Sequence, residues 1–128
     1  MEQIIQKNLQ KGEFRKALNL LEIYKEKESN NMALNYYFGK VYFQLNDHKK
    51  SLFYFRKCNQ INPGNPKILY NLAQVLQGQG KIDEAKKIYE KLIKQNSTDI
   101  KSYYGLFNLG IKNINDDHEI KLQKFSND

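Results

Sequence analysis

A period of 34 residues runs through most of the sequence and constrains the fold more than any other feature. A small residue recurs at this spacing, and a large apolar residue follows it four positions later. The small residues are Ala17, Ser51 and Ala85, and the large ones are Leu21, Phe55 and Tyr89. Repeats of this length are typical of helix pairs that cannot bury their apolar faces alone and therefore stack. The period predicts an all-α protein.

Turn and cap residues recur with the same period. Before each small residue stands a type that tolerates the left-handed backbone conformation. These residues are Gly12, Asn46 and Gly80. Good helix N-caps also recur, at Asn31, Asn65 and Asp99. Pro66 follows one of them, at the first helical position, where its missing N–H costs nothing. We therefore expect a new helix pair to begin after each of these caps.

The predicted first helices of the pairs also align with one another. Each has a large residue followed by a small one, and a further apolar residue one turn later. The two sets are Phe38, Gly39 and Tyr42, and Leu72, Ala73 and Leu76. A small residue lets two helix backbones approach, and a large neighbour fills the space beside it. Burying each large side chain is worth roughly 1.5–3 kcal/mol before conformational entropy is counted.

These residues resemble the tetratricopeptide repeat family, whose pattern is W-x2-L-G-x2-Y…A-x3-F…P. The best-matching unit is Phe38-Gly39-x2-Tyr42…Ser51-x3-Phe55…Pro63, followed by Leu72-Ala73-x2-Leu76…Ala85-x3-Tyr89. The first unit keeps Gly12, Phe14, Ala17 and Leu21 but has Asn8 where a Tyr is typical, and the initial Trp is absent throughout. The resemblance implies a right-handed superhelical stack of antiparallel helix pairs.

The resemblance also implies a single domain over residues 1–128. Its repeats would cover approximately residues 1–31, 32–65 and 66–99, with a degenerate cap over 100–128. In that cap Glu119 stands where the small residue belongs. A short final helix through Ile120, Leu122 and Phe125 would fold back on the stack. Its apolar residues equally suit self-association, or continuation into a longer protein.

No catalytic constellation is evident, so we expect a protein that is not an enzyme and needs no cofactor or metal. His48 takes the register position of Phe14 and Ile82, which predicts a packing role. Asp116-Asp117-His118 could in principle bind a metal, although acidic residues are also typical of a helix start. Cys58 is the only cysteine, which excludes an intrachain disulfide, and its register position predicts a buried thiol.

The resemblance further implies that the first helix of each pair lines a concave, partner-binding groove. The predicted groove residues are Tyr36, Lys40, Phe43, Lys67, Tyr70, Asn71, Gln74, Lys101, Tyr104 and Asn108. Three of them form a ladder at the repeat period, namely Tyr36, Tyr70 and Tyr104, and tyrosine offers apolar area with a hydroxyl at little entropic cost. With lysines beside it, this ladder favours an acidic peptide. The same tyrosines could instead pack between adjacent helices.

Some family members grip the C-terminal carboxylate of chaperones with a fixed clamp of Lys and Asn residues. Asn71 and Lys101 match two positions of that clamp. Tyr36 and Lys40 stand where Lys and Asn are typical, and Gly105 stands where a basic residue is typical. The incomplete clamp argues against chaperone-tail binding.

The function that follows is a protein-interaction scaffold for a protein or peptide partner. An alternative is a repeat module of a larger enzyme such as a bacterial sulfotransferase, because residues 105–125 resemble the junction found there. A net charge of +7 raises nucleic-acid binding as a third hypothesis. It is the weaker one, because acidic residues are interspersed with the lysines. The sequence shows no signal peptide and no apolar run of roughly 20 residues, so we expect a cytoplasmic protein that does not bind membranes.

Overall fold

The computed structural model describes residues 1–27 and 31–110, and within them every regular element is an α-helix. Seven helices follow one another in those residues: α1 (Glu2–Gln10), α2 (Phe14–Lys25), α3 (Met32–Gln44), α4 (His48–Ile61), α5 (Pro66–Gly78), α6 (Ile82–Gln95) and α7 (Ile100–Asn108). The predicted all-α fold class is confirmed. The predicted final helix and the Asp116-Asp117-His118 cluster lie outside the described residues.

The predicted cap and turn residues occupy the expected places in the structure. The side chains of Asn31 and Asp99 accept hydrogen bonds from the backbone N–H groups of Leu34 and Ser102, in the first turns of α3 and α7. The side-chain oxygen of Asn65 accepts a hydrogen bond from the N–H of Ile68 in the same way. The predicted left-handed residues also have positive φ angles. These are Gly12 (74°), Asn46 (62°) and Gly80 (77°). Both sets of predictions are confirmed.

The chain divides into two compact units, Met1–Ile68 and Leu69–Asp128. The core of the first unit is formed where α1, α2, α3 and α4 meet. Its buried members are Ile5, Ala17, Leu21, Leu34, Tyr37, Phe38, Val41, Tyr42 and Tyr54. Three of its rings lie nearly parallel, because Phe38 stacks on Tyr54 at 4.6 Å between centroids and Tyr42 stacks on Tyr54 at 5.8 Å.

The second unit buries apolar side chains from α5, α6 and α7. They include Leu72, Ala73, Leu76, Ala85, Tyr89, Leu92, Tyr103 and Leu106. The predicted small residues Ala17, Ser51 and Ala85 are all fully buried. Ser51 has a second role in the first unit, since its hydroxyl donates a hydrogen bond of 2.7 Å to the carbonyl oxygen of Gly39 and so ties α4 to α3.

Candidate functional site

The predicted groove residues lie on α3, α5 and α7, the first helices of successive pairs. Those of the first unit are Tyr36, Lys40, Phe43 and Lys67, and those of the second are Tyr70, Asn71, Gln74, Lys101, Tyr104 and Asn108. We call this set the tyrosine–lysine surface. In both units all of its residues are half-buried or exposed.

In the first unit, Tyr36 holds two lysines close to its ring. The ammonium of Lys67, from the first turn of α5, lies 4.9 Å from the ring centroid, and that of Lys40, one turn along α3, lies 5.6 Å away. At these distances an aromatic ring attracts a cation electrostatically. The contact positions each ammonium and leaves its charge in place. The arrangement is therefore a preorganised pair of cations beside a tyrosine.

Tyr70 repeats part of this arrangement in the second unit. The ammonium of Lys101 lies 5.9 Å from the Tyr70 ring centroid, and Lys101 follows Tyr70 at the spacing that separates Lys67 from Tyr36. At the position that corresponds to Lys40, Gln74 donates its side-chain amide to the Tyr70 hydroxyl at 3.2 Å. One cation and one amide thus surround this ring, where two cations surround Tyr36.

The ladder tyrosines also contact the second helices of their pairs. The Tyr36 ring meets Phe55 edge-on at 5.9 Å, and the Tyr70 ring meets Tyr89 edge-on at 6.1 Å. Burial raises the pKa of Tyr89 to about 12, with a smaller contribution from Tyr70, so its phenol is neutral at physiological pH. Tyr104 is 45% exposed.

The remaining predicted side chains differ in their surroundings. Phe43 packs against His48 of α4 at 5.4 Å between ring centroids, which agrees with the packing role predicted for His48. Asn71 and Gln74 are half-buried, whereas Lys101 and Asn108 are exposed.

Two clefts open beside Tyr36 within the first unit. The larger, of about 330 Å³, is lined by Gln6, Leu9, Gln10, Tyr36, Tyr37, Lys40 and Lys67. The smaller, of about 160 Å³, shares Tyr36, Tyr37 and Lys67 with it and adds Glu2, Met32, Ala33, Asn65 and Ile68. The first is mainly polar apart from its rings and Leu9, and the second has an aliphatic wall. Together they suit a polar and an apolar side chain on neighbouring positions of a ligand.

The sequence prediction missed the contribution of α1 to these clefts. Glu2, Gln6 and Leu9 precede Tyr36, Lys40 and Phe43 by 34 residues each. The repeat period could therefore have identified them as members of the same surface. They were missed because the tyrosine ladder begins only at α3. Tyr37 was missed for another reason, since its ring is buried and only its hydroxyl, which accepts a hydrogen bond of 2.7 Å from Gln6, marks it as polar.

The structure gives a physical reason for the glycine in the incomplete clamp. Gly105 lies against the ring of Tyr89, and a Cβ atom there would come within 3.0 Å of three ring carbons. A basic side chain cannot occupy this position unless the Tyr89 ring moves. The buried Tyr89 ring therefore occupies the space that the clamp's basic side chain would need.

Cys58 is fully buried, as predicted, and burial raises the pKa of its thiol to about 11, which keeps it protonated. Over residues 1–27 and 31–110, no three His, Cys, Asp or Glu side chains come together as metal ligands would. Within the same residues, none of the helices has the length and apolarity needed to cross a membrane.

Comparison with known proteins agrees with the repeat period and the helix pairs. A family model described as tetratricopeptide repeat matches residues 42–106, about half of the chain. The chain belongs to the tetratricopeptide repeat family. This membership supports a role as a protein–protein interaction scaffold. A TPR repeat-containing protein of Methanocaldococcus jannaschii is 38% identical over 56 residues, which make up 44% of this chain. The chain spans 10% of the length of that relative.

Solved structures share the fold at lower identity. MamA from Desulfovibrio magneticus RS-1, residues 41 to the end, has a TM-score of 0.80 at 17% identity, covering 98% of this chain and 70% of that one. The first TPR domain of human RPAP3 has a TM-score of 0.76 at 16% identity, covering 85% of this chain and 86% of that one. A structure of the first TPR of Spaghetti (RPAP3), bound to the HSP90 peptide SRMEEVD, gives the same values. At such identities the likeness shows the fold alone.

Proposed function

We propose that this chain binds acidic peptides through residues of the tyrosine–lysine surface, as a scaffold without catalytic activity of its own. The observation that carries the proposal is the recurrent placement of a lysine ammonium over a ladder tyrosine, Lys67 over Tyr36 and Lys101 over Tyr70. The ring attracts the ammonium without neutralising its charge, and a carboxylate forms a strong charge-assisted hydrogen bond with an ammonium. A ring that restricts the lysine also reduces the entropy lost on binding.

The two clefts of the first unit refine the ligand. Lys40 and Lys67 line the larger cleft, so an acidic side chain fits there, whereas Met32, Ala33 and Ile68 line the smaller one and suit an aliphatic side chain. We expect the preferred peptide to carry an acidic residue next to an aliphatic one. The peptide SRMEEVD, bound in the RPAP3 structure, contains such pairs and is a suitable first probe.

The experiment compares four versions of that probe by fluorescence anisotropy. They are the free peptide, its C-terminal amide, and both with Glu and Asp replaced by Gln and Asn. The acidic versions should bind at least roughly tenfold more tightly than the neutral ones at low salt. Because Gly105 and Tyr36 replace clamp residues, we expect the amide to bind about as well as the free acid.

Charge-reversal variants locate the site. Binding of the acidic probe should weaken roughly tenfold or more in each of two variants, Lys67→Glu and the double variant Tyr70→Ala with Lys101→Glu. Both variants should keep the helical circular dichroism signal of the wild type. Lys94→Glu, an equal charge change on the exposed side of α6, is the matched control and should have little effect. Equal affinity for acidic and neutral probes, or full binding by both surface variants, would refute the proposal.

A further inference from the structure

The exposed side of α4 carries an aromatic residue with basic residues at the neighbouring helical turns. Phe53 is 55% exposed, and its neighbours at the preceding and following turns are Lys49, Lys50, Arg56 and Lys57. Residues three and four positions away surround a given residue on a helix surface. The Lys57 ammonium lies 4.7 Å from the Phe53 ring centroid, which confirms the contact on one side. We call these five residues the Phe53 surface.

Most of the net positive charge of the chain comes from residues 48–82, which include this helix. No Asp or Glu occurs from residue 48 to residue 82, although basic residues continue through that segment. Acidic residues therefore alternate with lysines only outside residues 48–82, and within those residues the alternation does not count against a basic binding surface. Within the first unit, α4 has cations and no carboxylate of its own.

The other second helices do not share this pattern. In α2 the corresponding positions are Arg15, Lys16, Asn19, Glu22 and Ile23, and in α6 they are Asp83, Glu84, Lys87, Glu90 and Lys91. Both sets mix the two signs of charge, and in neither is the central residue aromatic. The Phe53 surface is thus a feature of one helix and is not required by the repeat.

Helix stability does not explain the cations either. Lys49 and Lys50 lie in the first turn of α4, where the positive end of the helix dipole disfavours cations. The first turn of α6 instead carries Asp83 and Glu84, the arrangement that the dipole favours. Asp47, the N-cap, offsets the effect in part through its contact with Lys50 at 4.0 Å. Phe53 packs edge-on against Tyr54 at 5.2 Å but leaves 55% of its surface exposed, so it and the cations beside it suit a role in recognition.

We propose that the Phe53 surface binds an acidic protein segment that presents an aliphatic or aromatic side chain flanked by carboxylates. Charge complementarity sets the sign of the partner, and Phe53 supplies an apolar anchor inside a polar rim, which is the arrangement found at binding hot spots. The site lies on a second helix of a pair, none of its residues lines the two clefts beside Tyr36, and it does not depend on the peptide site proposed above.

Two other anionic partners fit less well. Binding to a bilayer depends on a broad apolar helix face, whereas this surface has a single large apolar side chain. Single-stranded nucleic acid binds through successive aromatic platforms, and Phe53 is the only aromatic residue among these five. A protein segment needs just one apolar contact surrounded by ion pairs.

The probe is a labelled helical peptide in which Leu is flanked by Glu three and four positions away on each side, with a Gln version as its control. Wild-type protein should bind the Glu peptide and lose affinity as salt is added. Phe53→Ala should weaken binding roughly tenfold, and Lys49→Glu with Lys57→Glu should weaken it further. The matched control is Lys87→Glu with Lys91→Glu on α6, which has the same net charge and should bind normally.

Several results would overturn this assignment. Equal binding of the Glu and Gln peptides would remove the role of charge, and equal losses in the α4 and α6 variants would reduce the effect to net charge. Binding of an oligothymidine or of phosphatidylserine vesicles through the same residues, without binding of the Glu peptide, would assign the surface to another class of partner. Lys49→Glu alone should lower affinity without lowering the melting temperature, which separates recognition from folding. Lys67→Glu should leave this probe's affinity unchanged, so the two sites can fail independently.

Discussion

Replacing Gly39 by Ala should destabilise the protein even though alanine is the better helix former. Gly39 lies in α3 against the ring of Phe55 from α4. A Cβ atom at this position would come 2.7 Å from Cε1 and 2.8 Å from Cδ1 of that ring. The optimum separation of such carbon atoms is about 3.5–4.0 Å, so either the ring or the helix must shift.

The size of the effect follows from two opposing contributions. Exchanging glycine for alanine inside a helix gains about 0.5–1 kcal/mol. Inserting a methyl group into a close-packed contact costs about 1–3 kcal/mol. Phe55 cannot easily move aside, because it is buried and its other neighbours include the Tyr36 ring at 5.9 Å. Separating the helices would strain the hydrogen bond of 2.7 Å between Ser51 and Gly39. We expect a net loss of roughly 1–2 kcal/mol in the free energy of unfolding.

Urea denaturation followed by circular dichroism measures this loss. A double-mutant cycle with Phe55→Leu isolates its cause, because a smaller side chain makes room for the new methyl group. Gly39→Ala should cost less in the Phe55→Leu background than in the wild type. If Gly39→Ala is as stable as wild type, or if the two changes are simply additive, the close contact does not limit packing here. Since Phe55 also contacts Tyr36, the single variant should weaken acidic-peptide binding as well.

Two further changes test other parts of the fold. Asn31→Ala removes the acceptor for the N–H of Leu34 and should lower the free energy of unfolding by about 0.5–2 kcal/mol. Lys81→Ala is the control and should cost less, because the Lys81 N-cap makes no side-chain hydrogen bond. Equal urea midpoints for the two variants would contradict this prediction. Stability should also fall as pH rises from about 9 to 12, because the folded state keeps the protons of Cys58 (pKa about 11) and Tyr89 (pKa about 12) after the unfolded chain has lost them. In alkaline melting curves, Cys58→Ala should reduce the decline between pH 9 and 11, and an unchanged decline would exclude the thiol as a cause.

Much of the fold could be read from the sequence because its signals are local or strictly periodic. A cap such as Asn31 bonds to an N–H three residues away, and Gly12 adopts its positive φ within a single turn. Burial of Ala17, Ser51 and Ala85 follows from one rule applied at one spacing. Such features need no knowledge of where distant side chains point, which is why their positions were predicted to the residue.

Contacts between helices were harder to predict, because equivalent positions share only some of their partners. Phe55 and Tyr89 each meet the ladder tyrosine of their own pair, yet Phe55 also lies against Gly39 of that pair, whereas Tyr89 lies against Gly105 of the following helix. Each of these close approaches needs a residue without a Cβ atom, and the repeat period does not fix where a glycine stands. The concentration of basic residues on α4 was also missed, because the net charge of the whole chain does not show how the charge of one helix differs from that of another.

The sequence left open whether the ladder tyrosines pack the helices or form a binding surface, and the geometry of Tyr36 makes these roles compatible. One side of its environment is the buried ring of Phe55, which restrains the tyrosine, and another is formed by the ammonium groups of Lys40 and Lys67. A ring restrained by packing holds cations in a more defined position than a mobile one. Packing at Tyr36 therefore contributes to recognition, and a substitution behind the ring, such as Gly39→Ala, should be felt by a ligand in front of it.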